Sequence, residues 1–166
     1  MRKSNCLLLG FIGIVFSAPA LCRAENCAWL NAATAGGLLG GEATMKVTHT
    51  SQEDTTCEFT TKERPFSTLQ IAVHTMKDFQ HEFPSYLKQC DKESFPLRAV
   101  GNEAVECSHT GTSSEMVEQI VSRVRDRVFI LTWRMPMPRT DTPPQAKADM
   151  RDNIRNVAEQ VAGSLF

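Results

Sequence analysis

No apolar run in this 166-residue chain is long enough to cross a bilayer as a helix, since that takes roughly 20 consecutive residues. The longest, from Leu7 to Phe16, stops well short. The chain also has no Cys-x-x-Cys, no His-Glu-x-x-His and no Gly-x-Ser-x-Gly. A dithiol redox motif, a tight zinc-binding pair of histidines and an esterase nucleophile elbow are therefore missing. There is no internal repeat, long linker or low-complexity tract, so neither a solenoid nor a string of modules is expected. Basic charge is not in excess either: 18 Lys and Arg face 19 Asp and Glu. Nucleic-acid binders show a strongly basic balance or face, and this composition argues against one.

What is present begins at the N-terminus. Arg2 and Lys3 precede the Leu7–Phe16 run, and the small residues Ser17, Ala18, Ala20 and Ala24 follow it. A positive segment, a short apolar segment and a small-residue exit are the parts of a secretory signal peptide. Cleavage fits after Ala20 or after Ala24. Of the six cysteines, Cys6, Cys22, Cys27, Cys57, Cys90 and Cys107, cutting after Ala24 removes the first two and leaves four, whereas cutting after Ala20 leaves an odd Cys22. An even number suits an exported protein. The expected division is a signal peptide over 1–24 and a single domain over 25–166, exported to the periplasm or beyond. Leu21 is too large for the residue before a lipidated cysteine, so membrane contact is expected only if Cys22 is lipidated after all.

Four cysteines allow three pairings. Cys27 with Cys57 and Cys90 with Cys107 is preferred, because each joins neighbouring segments of the outline below. Loops of these lengths would each contribute about 3 to 4 kcal/mol in the chain-entropy model. The domain left after cleavage loses three basic side chains and no acid, for a net charge of −4. It is large enough to bury a real core.

Asn31 is a good N-cap for a short Ala-rich helix to Leu39, with Gly40-Gly41 as a stop. Met45, Val47 and His49 alternate with Thr44, Lys46, Thr48 and Thr50 in a half-buried strand. A second strand carries Cys57 and Phe59, and a third runs from Leu69 to Thr75. Phe79, Phe83 and Leu87 have helical spacing around Pro84, which predicts a broken or two-part helix over 77–89. A turn over Val100–Ala104 leads to a strand through Cys107. Val117–Val124 and Val128–Trp133 then form a hairpin around Arg125-Asp126-Arg127. Met135 to Pro144 reads as a loop. Thr142 as cap, Pro143 at the first position and Gln145 as the capping-box partner open a long helix. Its stripe is Met150, Ile154, Val157, Val161 and Leu165. The sum is an α+β domain, a single antiparallel sheet packed by helices and held by two disulfides.

The string Cys27-Ala-Trp-Leu-Asn-Ala-Ala-Thr-Ala-Gly-Gly-Leu-Leu-Gly-Gly resembles the opening of an exported bacterial domain family of unknown function, often found in lipoproteins. Cys57-Glu58-Phe59, the turn Gly101-Asn102-Glu103-Ala104 and the Ala-rich end from Asn153 to Leu165 are similar to later features of that family. More distantly the arrangement resembles the PsbP-like α/β/α sandwich, whose members are mainly non-catalytic accessory or binding proteins. The resemblance implies no catalytic residues.

The chemistry on offer is sparse. His49, His74, His81 and His109 show no metal-ligand spacing. A hydrolase or transferase would need dispersed residues such as His74, His81 and Glu103 to converge. Met135-Pro136-Met137-Pro138 offers soft thioethers that suit Cu(I). The best functional patch is Arg123, Arg125 and Arg127, joined by Arg134 and Arg139, with Glu118 and Asp126 nearby. Arg123 and Arg125 are expected to share a strand face, where an anionic ligand, an acidic partner or a lipid headgroup could dock. The expected function is a binding or scaffolding module of the cell envelope with no enzymatic activity, cofactor or metal. Its expected partner is an envelope component or a small anionic ligand.

Overall fold

The computed structural model describes residues 26–62, 66–90, 94–110, 115–136 and 144–166. The expected signal peptide lies outside them. In chain order the elements are α1 (Ala32–Leu39), β1 (Ala43–His49), β2 (Asp54–Thr61), β3 (Thr68–Thr75), α2 (Phe79–Leu87), β4 (Ser94–Leu97), β5 (Glu103–Thr110), β6 (Glu115–Val124), β7 (Arg127–Pro136) and α3 (Pro144–Leu165). The seven strands form one antiparallel sheet in the order β1-β2-β3-β7-β6-β5-β4.

Strand alternation divides the side chains between two faces. Cys57, Phe59, Leu69, Ile71, Ile120, Phe129, Leu131, Trp133 and Met135 point to one face, where they pack with Leu30 and Ala35 near α1 and with Ile154, Val157, Val161 and Leu165 of α3. Val121, Val128 and Ile130 point to the other, where Met76 and Phe83 cover them from α2 and the segment before it. Helices therefore lie on both faces, two on one and one on the other. One disulfide serves each face: Cys27 to Cys57 ties the lead-in of α1 to β2, and Cys90 to Cys107 ties the end of α2 to β5.

Local signals explain the α1 ends. The Asn31 side chain accepts from the Thr34 N–H at 2.8 Å. Gly40 closes the helix in the left-handed region at φ 80°, which glycine enters without steric cost. The α3 stripe is buried at Ile154, Val157, Val161 and Leu165; its expected cap, Thr142, and expected first residue, Pro143, lie outside the described residues, and the helix is described from Pro144 to Leu165.

Three expectations are corrected. The segment around Pro84 is one continuous helix capped by Asp78, which accepts from Gln80 N–H. Pro84 and Gln80 are both exposed, so the carbonyl that loses its partner faces solvent instead of the core. A seventh strand, β4, pairs Pro96 with Val105 at the sheet edge, the place where a proline without an N–H is tolerated. Met135 and Pro136 belong to β7, and Met135 is buried in the core.

The Gly-Asn-Glu-Ala turn has a structural task. Gly101 has φ 69°, and a Cβ there would sit 2.5 Å from the Arg123 carbonyl oxygen. Asn102 N–H donates to that oxygen at 2.8 Å, and Asn102 Oδ1 accepts from Arg125 N–H at 2.7 Å. The turn is thereby fastened to the end of the β6–β7 hairpin.

Candidate functional site

On β6, apolar residues occupy both faces: Val117 and Val121 on one, Ile120 and Val124 on the other. A strand covered on both sides has no solvent face on which to leave a charge. Glu118 nevertheless sits in its middle, on the face crossed by α3, and is 3% exposed. Glu106, on the same face of the adjoining β5, is 2% exposed. Burying a carboxylate is costly unless it is paired and hydrogen-bonded, and α3 supplies the pairs. Arg151 and Arg155 are four residues apart, each directly after a stripe residue, so both fall along the edge of the helix that meets β5 and β6.

The two glutamates are served unequally. Arg155 Nε and Nη2 both donate to Glu106 Oε2, at 3.0 and 2.5 Å, and its Nη1 donates to Asp152 at 3.5 Å. Glu106 Oε1 is buried without a partner. Glu118 Oε2 accepts a short hydrogen bond from the Ser108 hydroxyl. Its Oε1 faces Arg151 Nε at 3.8 Å, too far for a hydrogen bond. Burial pushes the Glu118 carboxyl above its ordinary value; the Ser108 bond and Arg151 oppose that shift, Glu106 adds to it and Arg155 opposes it. The Trp133 indole N–H, on the residue paired with Glu118 across β6 and β7, is also buried without a partner.

Beside Glu118 opens a cleft of about 380 Å³ lined by Met116, Ala148, Met150, Arg151, Asp152 and Arg155. This lies within the range of small-molecule sites, toward the small end. Met116 and Met150 are half-buried and pack against the main core, so their thioethers form a deformable apolar wall. The arrangement can hold a small ligand by one buried carboxyl group and two guanidinium groups.

Sequence reasoning noted Glu118 only as an acid near the hairpin arginines and passed over Glu106. The signals that would have found them are the apolar residues on both sides of Glu118 and the Arg151/Arg155 pair flanking the α3 stripe.

The arginine patch expected at the hairpin is dispersed. Arg123, on β6, stacks its guanidinium over Phe79 at 4.6 Å, donates to the Arg125 carbonyl at 3.1 Å and lies 3.9 Å from Glu103. Arg125 is not on the strand: β6 ends at Val124, and Asn102 holds Arg125 in the turn at φ 56°, with its guanidinium 5.7 Å from the Phe166 ring. Arg127 is exposed at the start of β7. The shared strand face for Arg123 and Arg125 is therefore absent.

The histidines are engaged separately. His74 meets Asp54 at 2.9 Å, which lowers the Asp54 pKa, and stacks on Tyr86 at 5.7 Å. His81 meets Asp78 at 2.7 Å within its own helical turn, and His49 meets the Thr55 hydroxyl at 2.8 Å. The side chain of His109 and all of Met137 lie outside the described residues. Among the described residues no group of three or more His, Cys, Asp or Glu is placed to hold a metal ion. Glu103 faces Arg123, and no described contact joins it to His74 or His81.

No family model, curated protein or solved structure matches the chain. The geometry is what a functional reading has to rest on.

Proposed function

We propose that the chain is an exported, non-catalytic binding module of the cell envelope, and that it binds through the cleft between α3 and β6. The observation that carries this reading is Glu118, a carboxyl group 3% exposed at a cleft wall, whose Oε1 faces the Arg151 guanidinium at 3.8 Å. A fold that needed only a packed sheet would place an apolar residue there, as β6 does at Ile120 and Val124. Two disulfides support an oxidising compartment. Helices on both faces of one antiparallel sheet support the likeness to PsbP-like accessory proteins.

Mass spectrometry of protein purified from its native compartment tests the reading. Under denaturing, non-reducing conditions the expected mass is that of residues 25–166 with both disulfides formed. Under native conditions the wild type is expected to carry an added mass that Glu118→Leu lacks. An added mass retained by Glu118→Leu would move the binding site elsewhere.

A further inference from the structure

The sheet ends in β1 on one side and β4 on the other, and the two edges are finished differently. β4 is four residues long and carries Pro96, which has no N–H to offer. β1 is seven residues long, without proline or glycine, and pairs with β2 in unbroken register. Lys62 N–H donates to the Glu42 carbonyl at 2.9 Å, and Thr50 N–H to the Asp54 carbonyl at 3.1 Å. Even-numbered residues of this stretch therefore bond to β2, and odd-numbered ones turn outward. Met45 and Val47 direct both N–H and C=O away from the sheet, and among the described residues no strand takes them up. We propose that this edge docks an extended segment of another protein as an added antiparallel strand, in which two apolar side chains flank an acidic one.

The outer flank of α1 gives this edge a second wall. On the same face of the sheet, α1 packs on β1, β2 and β3 while α3 packs on β6 and β7. Thr34 and Leu38 of α1 look toward Asn153, Asn156 and Val157 of α3, so Ala32, Gly36 and Gly40 fall on the flank away from α3. A Cβ on Gly36 would sit 2.6 Å from the Gly41 carbonyl oxygen, which sets that flank against the start of β1. A cleft of about 490 Å³ opens there, lined by Ala32, Ala33, Gly40, Gly41 and Ala43 among others. Met45 and Val47 lie on this face and are only half-buried. Residues of an added strand opposite them point to the same side, where a lining of small residues leaves room for large apolar ones. Lys46 selects the residue between. It is exposed on the other face and makes no hydrogen bond or ion pair among the described residues, although Glu58 is its neighbour on β2. An acid placed opposite it gains an attraction across the ladder. The same lysine disfavours a second copy of the chain, because the two-fold register that pairs the whole of β1 sets Lys46 against itself. A seven-residue edge also falls short of the roughly 20 to 30 residues a side of a standard protein–protein interface, and it suits strand addition by a peptide.

The test is a titration of isotope-labelled protein followed at the Met45 and Val47 amide resonances. The probe is the capped peptide Ser-Thr-Leu-Glu-Leu-Thr-Ser. Its comparisons are the same peptide with lysine in place of glutamate, and the same peptide N-methylated at both leucines. The glutamate peptide is expected to shift both amides saturably and to slow their exchange with solvent. The lysine peptide is expected to bind up to about fivefold more weakly, as a cross-strand charge pair implies. Lys46→Glu is expected to reverse that order; Lys46 is exposed, so the exchange costs the fold little. N-methylation removes the donors that face β1 and is expected to abolish binding. No shift with the glutamate peptide would overturn the proposal, and equal binding of the glutamate and lysine peptides would overturn the acidic partner. Undiminished binding of the N-methylated peptide would overturn strand addition. Shifts at the two amides that grow with protein concentration, without peptide, would overturn it in favour of a second copy. The edge is four strands away from β6, so its failure leaves the reading of the α3 cleft standing.

Discussion

The two faces of the sheet bury polar groups on different terms. Under α2, the cluster of Met76, Phe83, Val121, Val128 and Ile130 is small, and the outer strands present Thr44, Lys46, Thr48 and Glu58 to solvent. Charge there costs little. Under α1 and α3 the apolar cluster is continuous from Leu30 to Leu165, yet it is interrupted at its β5–β6 edge by Glu106 and Glu118. Charge there costs several kcal/mol per ion before any partner repays it. The face best able to do without charge is the one that buries it, which is why the two glutamates are read as functional and the exposed polar rows are not.

The largest effects come from the disulfides, and they differ between the faces. Cys27 and Cys57 are 30 residues apart and Cys90 and Cys107 are 17 apart, so removing the first pair as a double alanine variant costs about 4 kcal/mol and the second about 3 kcal/mol. Denaturant unfolding measures both. Because so little apolar surface holds α2, losing Cys90–Cys107 is also expected to abolish amide protection in α2 while leaving α3 protected. Equal loss in both helices would show that the faces are not separately stabilised.

Arg155→Ala sharpens the comparison next. It leaves Glu106 buried with neither oxygen paired, for an expected loss of about 3 kcal/mol. Replacing Glu106 and Arg155 together by methionine is expected to recover most of that loss, since the buried ion pair itself contributes little net stability. A double variant no more stable than Arg155→Ala would count against the view that the pair serves something besides folding.

Glu118 makes the next difference a matter of pH. Its folded-state pKa is raised above the ordinary 4.5, so between the two values the folded protein holds more protons than the unfolded chain. Stability therefore falls as pH rises through this window. Glu118→Gln is expected to flatten that fall, measured as the change in denaturation midpoint between acid and neutral pH. An unchanged slope would place the titration on another group.

Where the structure was legible in the sequence, the signals were local. Asn31 with Gly40, the α3 stripe and the alternation of β1 to β3 each follow from neighbours within a turn or two of chain. The disulfide partners followed from the outline those elements make. What escaped depended on position in the sheet. Ser-Phe-Pro-Leu reads as coil because of Pro96, and only an edge lets it pair. Pro84 reads as a break, and only exposure of Gln80 lets the helix run on. Glu106 alternates with Val105 and Cys107 as a solvent-facing residue would. Which face of β5 a helix covers is decided by where α3 returns, dozens of residues later. The candidate site was illegible for the same reason: it is made by a crossing of α3 over β5 and β6, while the arginines near Asp126 were visible because they are neighbours in sequence.

That neighbourhood supplies the smallest expected effect. Arg123 is on the thinly covered face, stacked on Phe79, which is itself 41% exposed, and its carboxylate contact with Glu103 is 3.9 Å long. Exposed cation–π contacts contribute about 0.5 to 1 kcal/mol, and an open ion pair adds little. Arg123→Ala is thus expected to cost about 1 kcal/mol or less in denaturant unfolding, a third of the effect at Arg155 for removal of the same side chain. Arg123→Lys keeps the charge but loses the planar stack and the reach to the Arg125 carbonyl, so it should resemble alanine more than wild type. If Arg123→Ala matched Arg155→Ala, the contrast between the faces would fail at the point where it is most easily measured, and the hairpin arginines would again compete with the α3 cleft as the place where this fold spends stability on something other than folding.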